Sequence, residues 1–204
     1  MTLRNYSMCY ASCMTGRTHD LAAFTALTYI MATKPLDPIS LPTVAVALTA
    51  NFLGALAPDL DQSTSSFWGK IRGGSYFGKL IAPVLGGHRF ISHSILGVLI
   101  AGFLVDKLLI LASGFLIVDM TVVWWAFMIG FVSHLVMDTL TKEGVPWLFP
   151  IPIKIGFPPL YFLRVTTGGK IEKYLIFPSL LLANAYLFYT YYPKFLELIK
   201  YYLK

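Results

Sequence analysis

Charge is scarce in this chain: Asp, Glu, Lys and Arg make up 13% of its 204 residues, against about 25% in a soluble domain. A surface so poor in charge would not stay soluble alone, so lipid is the natural solvent for much of it. Cysteine is scarcer still, with only Cys9 and Cys13. The two could form a redox or metal pair, but reduced thiols in a poorly ordered leader, 1–13, is the plainer reading. The stretch before Met14 lacks a basic start followed by an apolar core, so it does not read as a signal peptide. There is no Lys/Arg-rich block with interleaved aromatics, so nucleic acid is not expected as the main partner despite a net charge of +6. Internal repeats and low-complexity tracts are absent. The length suits a single domain, 14–204.

Apolar residues are what the chain has in abundance: 56% are hydrophobic and 15% aromatic, with a mean hydropathy of +0.67. Apolar runs fall at 21–33, 39–57, 94–112, 115–137 and 174–192. The last four approach the roughly 20 residues that cross a bilayer, whereas the first is short enough to be a buried or re-entrant helix. The expected fold is therefore all-α, an integral membrane bundle of four or five helices. Ser113–Gly114 reads as the turn between the third and fourth. Asp106 and Lys107, adjacent in the third run, are expected near the far surface or paired.

Two long polar loops, 58–92 and 139–173, interrupt the runs, and loops of that length are usually functional. They share one face, and the amino terminus joins them if all five helices span. That face carries Arg4, Arg17, Lys70, Arg72, Lys79, Arg89, Lys142, Lys154, Arg164, Lys170 and Lys173. The asymmetry makes it the cytoplasmic side of a multi-pass cell (inner) membrane protein.

With all five helices spanning, the four histidines all sit at helix ends on that face, beside carboxylates. His19 lies in Thr18-His19-Asp20. Asp59 and Asp61 follow Pro58 where the second helix ends. His88 and His93 bracket the entry to the third helix, with Ser92 as its expected N-cap. His134 and Asp138 lie four apart and so share a helical face. Each piece alone has a plainer reading: a capping histidine, a turn aspartate, a core hydrogen-bonded pair, a surface loop. Together, imidazoles and carboxylates form the ligand set of zinc, manganese or iron. His19, Asp59, Asp61, His88, His93, His134 and Asp138 are the expected ligands, and zinc is the expected metal, in one to three ions. Arg89 reads either as a clamp for an anionic group or as a headgroup anchor. Ser94 and Thr139 flank ligands and could support them, although bonding their own backbone is the simpler role. Glu143 reads as solvent-facing, and Glu172 as surface charge.

The combination of these stretches resembles the YdjM-type family of membrane-bound metal-dependent hydrolases, described as LexA-regulated and inner-membrane associated. The matching stretches are Leu56-Ala57-Pro58-Asp59-Leu60-Asp61, Gly87-His88-Arg89 with His93-Ser94, Gly130 to His134 running through Asp138 to Thr141, and Gly144-Val145-Pro146 with Trp147 to Pro150. A late Gly168-Gly169 followed by Glu172 also fits, and raises Glu172 to a supporting site residue. The likeness covers about 16 to 178. Gln62 stands where the family often has His, Phe90 where it has Gly, and Ser92 where it has Thr.

The family is distantly similar to the helical zinc phospholipase C and P1 nuclease group. That similarity implies hydrolysis of a phosphoester or phospholipid-like substrate. Asp59, Asp61 and Asp138 would bridge ions or orient water, Arg89 would hold the anionic group, and membrane lipid would be the partner. The rivals are a metal or ion transporter and a non-catalytic metal-binding membrane protein.

Overall fold

A computed structural model describes residues 15–34, 39–61, 76, 91–151 and 153–202, with side chains to Glu197. The leader, 1–13, His88 and Arg89 lie outside the described residues, as do Gln62 and Phe90.

The described chain is helical, with isolated bridges in place of strands. Its helices are α1 (Gly16–Thr33), α2 (Leu41–Leu56), α3 (Ile95–Ala112), α4 (Met120–Thr139), α5 (Phe177–Thr190) and α6 (Tyr192–Tyr202). Each of the five apolar runs carries one helix. The short amphipathic α6 is an addition that lies beyond the last apolar run.

Polar side chains fix the helix starts by accepting the first free amide protons. Ser40 accepts from Thr43 N and Asp119 from Thr121 N and Val122 N. The Asp119 cap explains why α4 begins at Met120 rather than at residue 115. Ser94, not Ser92, caps α3 by accepting from Gly97 N, so His93 sits in the turn before the helix rather than in its first turn.

Among the described residues, two helices are long and apolar enough to cross a membrane: α3, with mean hydropathy 2.4, and α4, with 1.7. Helix α2 is apolar but has 16 residues. Helix α5 has 14, preceded by a π-helical turn, Glu172–Ile176. Helix α3 exposes Leu99, Phe103, Leu108 and Leu111, as a helix bathed in lipid does. Asp106 and Lys107 pair at 3.2 Å on its exposed side.

Helix α4 is the central post, packed against α2, α1 and α3. Its closest crossing is with α2. A Cβ on Gly54 would stand 2.1 Å from the Phe127 carbonyl oxygen, and one on Gly130 2.0 Å from the Asn51 carbonyl oxygen. Only glycine allows this approach, the small-residue device of membrane helix pairs. Asn51 Nδ2 donates to the Ala126 carbonyl at 2.9 Å across the same seam. The crossing brings the end of α2 beside the end of α4.

The second long loop folds back over that end. Lys142 N donates to Val165 O at 3.1 Å, Phe157 N to Thr139 O at 2.8 Å, and Val145 and Ile155 exchange both amide bonds.

Candidate metal centre

Four separate stretches deliver the donors to one end of the bundle: the first turn of α1 (His19), the 3₁₀ turn Pro58–Asp61 after α2, the turn before α3 (His93), and the last turns of α4 (His134 and Asp138). All are buried; Asp59, at 8% exposed, is the most open of them.

Asp138 is the hub. Its Oδ1 lies 3.4 Å from His19 Nε2, and its Oδ2 lies 3.5 Å from His93 Nε2 and 3.7 Å from His134 Nε2. Asp59 Oδ1 is 3.6 Å from His134 Nε2. The His19 and His134 rings stack, with centroids 3.8 Å apart and planes 11° from parallel. Two triads, His19/His134/Asp138 and Asp59/His93/His134, each hold their ligand atoms within 4.8 Å of one another. His134 belongs to both. Its Nδ1 donates to the Ala55 carbonyl at 2.6 Å, which leaves Nε2 alone to ligate, one ion at a time.

The donor chemistry fits a divalent cation. His134 Nε2, Asp59 Oδ1 and both ring nitrogens of His19 are buried without a hydrogen-bond partner among the described residues. Each buried polar atom left so costs about 1–3 kcal/mol. Gathering several lone pairs and carboxylates at one point makes sense when a cation sits among them.

Asp61 stands one step behind. Its Oδ2 faces His93 Nδ1 at 3.3 Å and accepts a short hydrogen bond from Ser92 Oγ, which itself lies 2.9 Å from His93 Nδ1. This is the carboxylate–histidine arrangement that orients a ligand ring. Burial alone would push the His93 imidazole down, but Asp138 and Asp61 outweigh it and raise its pKa to about 9. The sequence suggests Ser92 only as an N-cap; its position next to His93 is the one signal in the sequence for its place at the site.

Glu172 is buried, and its carboxylate accepts four hydrogen bonds. Three reach Oε1, from Thr15 N (2.9 Å), Thr15 Oγ1 (2.6 Å) and Thr18 Oγ1 (2.7 Å); Gly168 N reaches Oε2 (2.7 Å). Burial pushes its carboxyl up, but these donors outweigh it and hold it below its ordinary range. Ser94 and Thr139 direct their hydroxyls to the backbone and to Trp147. Ser94 caps α3, while Thr139 donates to Leu135 O and accepts from Trp147 Nε1.

A cleft of about 590 Å³ opens beside the centre, lined in part by Arg17, Asp20, Leu56, Glu172 and Lys173. A larger apolar groove, about 1070 Å³, runs along α4 past Trp125, Val132 and Val136, and none of the donors lines it.

Fold and centre together define a helical membrane protein with a buried histidine–aspartate cluster able to hold metal. The chain belongs to the YdjM inner membrane protein family, whose sequence model matches residues 14–195. It is similar to the uncharacterized protein YvsG of Bacillus subtilis (strain 168), with 30% identity over 179 residues, covering 86% of this chain and 95% of that protein. No solved structure matches.

Proposed function

We propose that the chain is a membrane-bound, metal-dependent hydrolase that cleaves a phosphoester or phospholipid-like substrate at the cytoplasmic face. The observation that carries this reading is the convergence of His19, Asp59, His93, His134 and Asp138 from four stretches of chain at one end of the bundle. Zinc suits the imidazole–carboxylate set best, with manganese or iron as alternatives, in one to three ions. A divalent ion held there would lower the pKa of a bound water towards ~7 and neutralise developing charge.

The chain's own residues do the rest. Ala55 fixes the tautomer of His134 through its carbonyl. Asp61 and Ser92 hold the His93 ring. Asp59, the most exposed carboxylate of the cluster, would accept a proton from an attacking water. Arg89, outside the described residues, is the proposed clamp on the anionic group. The positive-inside tendency supports a cytoplasmic site and a multi-pass arrangement, since Arg17, Lys142, Lys154, Arg164, Lys170 and Lys173 belong to the stretches at the donors' end. A site beside the headgroups favours membrane lipid as partner, with nucleic acid not expected.

One observation favours a non-catalytic metal protein or a metal transporter instead: His19, His93, His134 and Asp138 are at most 1% exposed, as in a closed structural site. Against transport, the donors sit at helix ends rather than at the midplane between broken helices. Detergent-purified protein assayed for bound metal and for phosphodiester turnover separates the readings. Stoichiometric metal, with turnover lost in His134→Ala, supports the hydrolase. Metal without turnover on any phosphoester supports a binding protein, and metal flux in proteoliposomes supports a transporter. Turnover by metal-free protein overturns the proposal.

A further inference from the structure

We infer that Glu172 is the positioning residue for His19: its buried carboxylate anchors the first turn of α1 and so sets where the His19 imidazole meets Asp138. The inference rests on the metal-centre reading above. Helix α1 gives the centre only His19, whereas the remaining donors come from elements joined through the tight α2–α4 crossing and the turn before α3. Packing against α4 and α2 holds α1 to that frame along its length, but the first turn that carries His19 must be held as well.

Thr15, the N-cap of α1, makes no capping bond with its own side chain. Glu172 reaches it from 157 residues away in sequence and meets its amide and its hydroxyl together. The same oxygen takes the hydroxyl of Thr18, the immediate neighbour of His19. The other oxygen takes the Gly168 amide, which ties the carboxylate to the turn that precedes its own π-helical segment. Three donors crowd Oε1 and one reaches Oε2, and Glu172 belongs to neither ligand triad, so its carboxylate serves as an anchor in this arrangement. Its negative charge also suits the positive end of α1. The other ties between α1 and the carboxyl-terminal helices lie further along α1. Asn184 Nδ2 donates to Thr25 Oγ1, and Lys194 Nζ donates to the carbonyls of Met31 and Ala32. They hold α1 in place along its length but do not grip the turn that carries His19.

The test uses full-length protein in detergent, titrated with Zn²⁺ and with Co²⁺, whose visible spectrum reports its ligands. Glu172→Gln keeps the size but places an amide donor against the Gly168 N–H. The expected result is a loss of metal affinity of about tenfold or more, with a Co²⁺ spectrum shifted towards that of His19→Ala. Combined with His19→Ala, the second substitution should add nothing. Thr18→Val should weaken binding, and Thr18→Ser, which keeps the hydroxyl, should restore it. Asn184→Ala, which cuts a tie away from the first turn, should leave affinity and spectrum unchanged even if the melting temperature falls. Wild-type affinity and spectrum in Glu172→Gln, or additive losses in the double variant, would overturn this role while leaving the metal centre standing. Wild-type protein that takes up neither ion would overturn both. A Glu172→Gln protein that does not fold leaves the decision to the two Thr18 variants.

Discussion

His134 donates its Nδ1 proton to the carbonyl of Ala55 at 2.6 Å, so the ring is held with Nε2 turned towards Asp59 and Asp138. A carbonyl can only accept, which settles the tautomer. In the neutral ring Nε2 is then an unprotonated lone pair in a buried site, the form a metal needs. His134→Gln should keep much of the volume yet abolish ordered binding in both triads. Metal content per chain after dialysis should fall at least ~10-fold, whereas the far-ultraviolet dichroism of the helices stays unchanged.

The raised pKa of His93 makes metal binding pH-dependent. With a metal-free pKa of about 9, the ring is protonated at neutral pH, and a cation must displace that proton to use Nε2. Affinity should rise about tenfold per pH unit up to pH ~9 and flatten above it. The metal-free protein should behave oppositely. A raised imidazole pKa contributes stability in full below the unfolded value near 6.5, and this is lost as pH climbs through about 9. Melting curves of chelated and loaded protein between pH 6 and 10 should therefore diverge, and calorimetry in two buffers should detect one proton released per ion bound at His93.

Asp61→Asn removes one of the two carboxylates that raise the His93 pKa. The ring loses part of what offsets its burial, so its metal-free pKa should fall and the pH at which affinity levels off should move down with it. Its orientation loosens as well, and affinity at high pH should drop about 10–100-fold. Unchanged affinity together with an unchanged pH profile would remove Asp61 from the supporting role.

Gly130→Ala tests the crossing that assembles the centre. Its Cβ would stand 2.0 Å from a backbone oxygen of α2, where no side chain can yield. The helices must separate, at about 1–3 kcal/mol. The 3₁₀ turn bearing Asp59 would move away from His134, so thermal stability and metal affinity should decline together.

Much of this architecture could be read directly from the residue pattern. The His134–Asp138 spacing put both side chains on one helical face, and they do share one. Pro58 marked the end of α2 and placed Asp59 at the centre. What escaped the sequence was decided by partners distant in the chain or by near-equivalent choices. Ser92 and Ser94 both suit an N-cap, and only the turn closed by Ser94 N and Oγ onto the Ile91 carbonyl selects Ser94. Asp61 looked equivalent to Asp59, but the 3₁₀ turn sends them to different sides of the imidazoles. Glu172 stands between two lysines like a surface charge, and its partners Thr15 and Thr18 lie at the other end of the chain. Helix α6 escaped because it begins at Tyr192, where the last apolar run ends, and Lys194, Glu197 and Lys200 keep it from reading as an apolar run.

The central claim is that these side chains meet around a shared cation, and elemental analysis of purified wild-type protein beside Asp59→Asn tests it most directly. The account predicts at least one equivalent of zinc, manganese or iron in the wild type and a clear deficit in Asp59→Asn, with both proteins equally helical. Metal-free wild-type protein that stays fully folded and does not take up added zinc would contradict it.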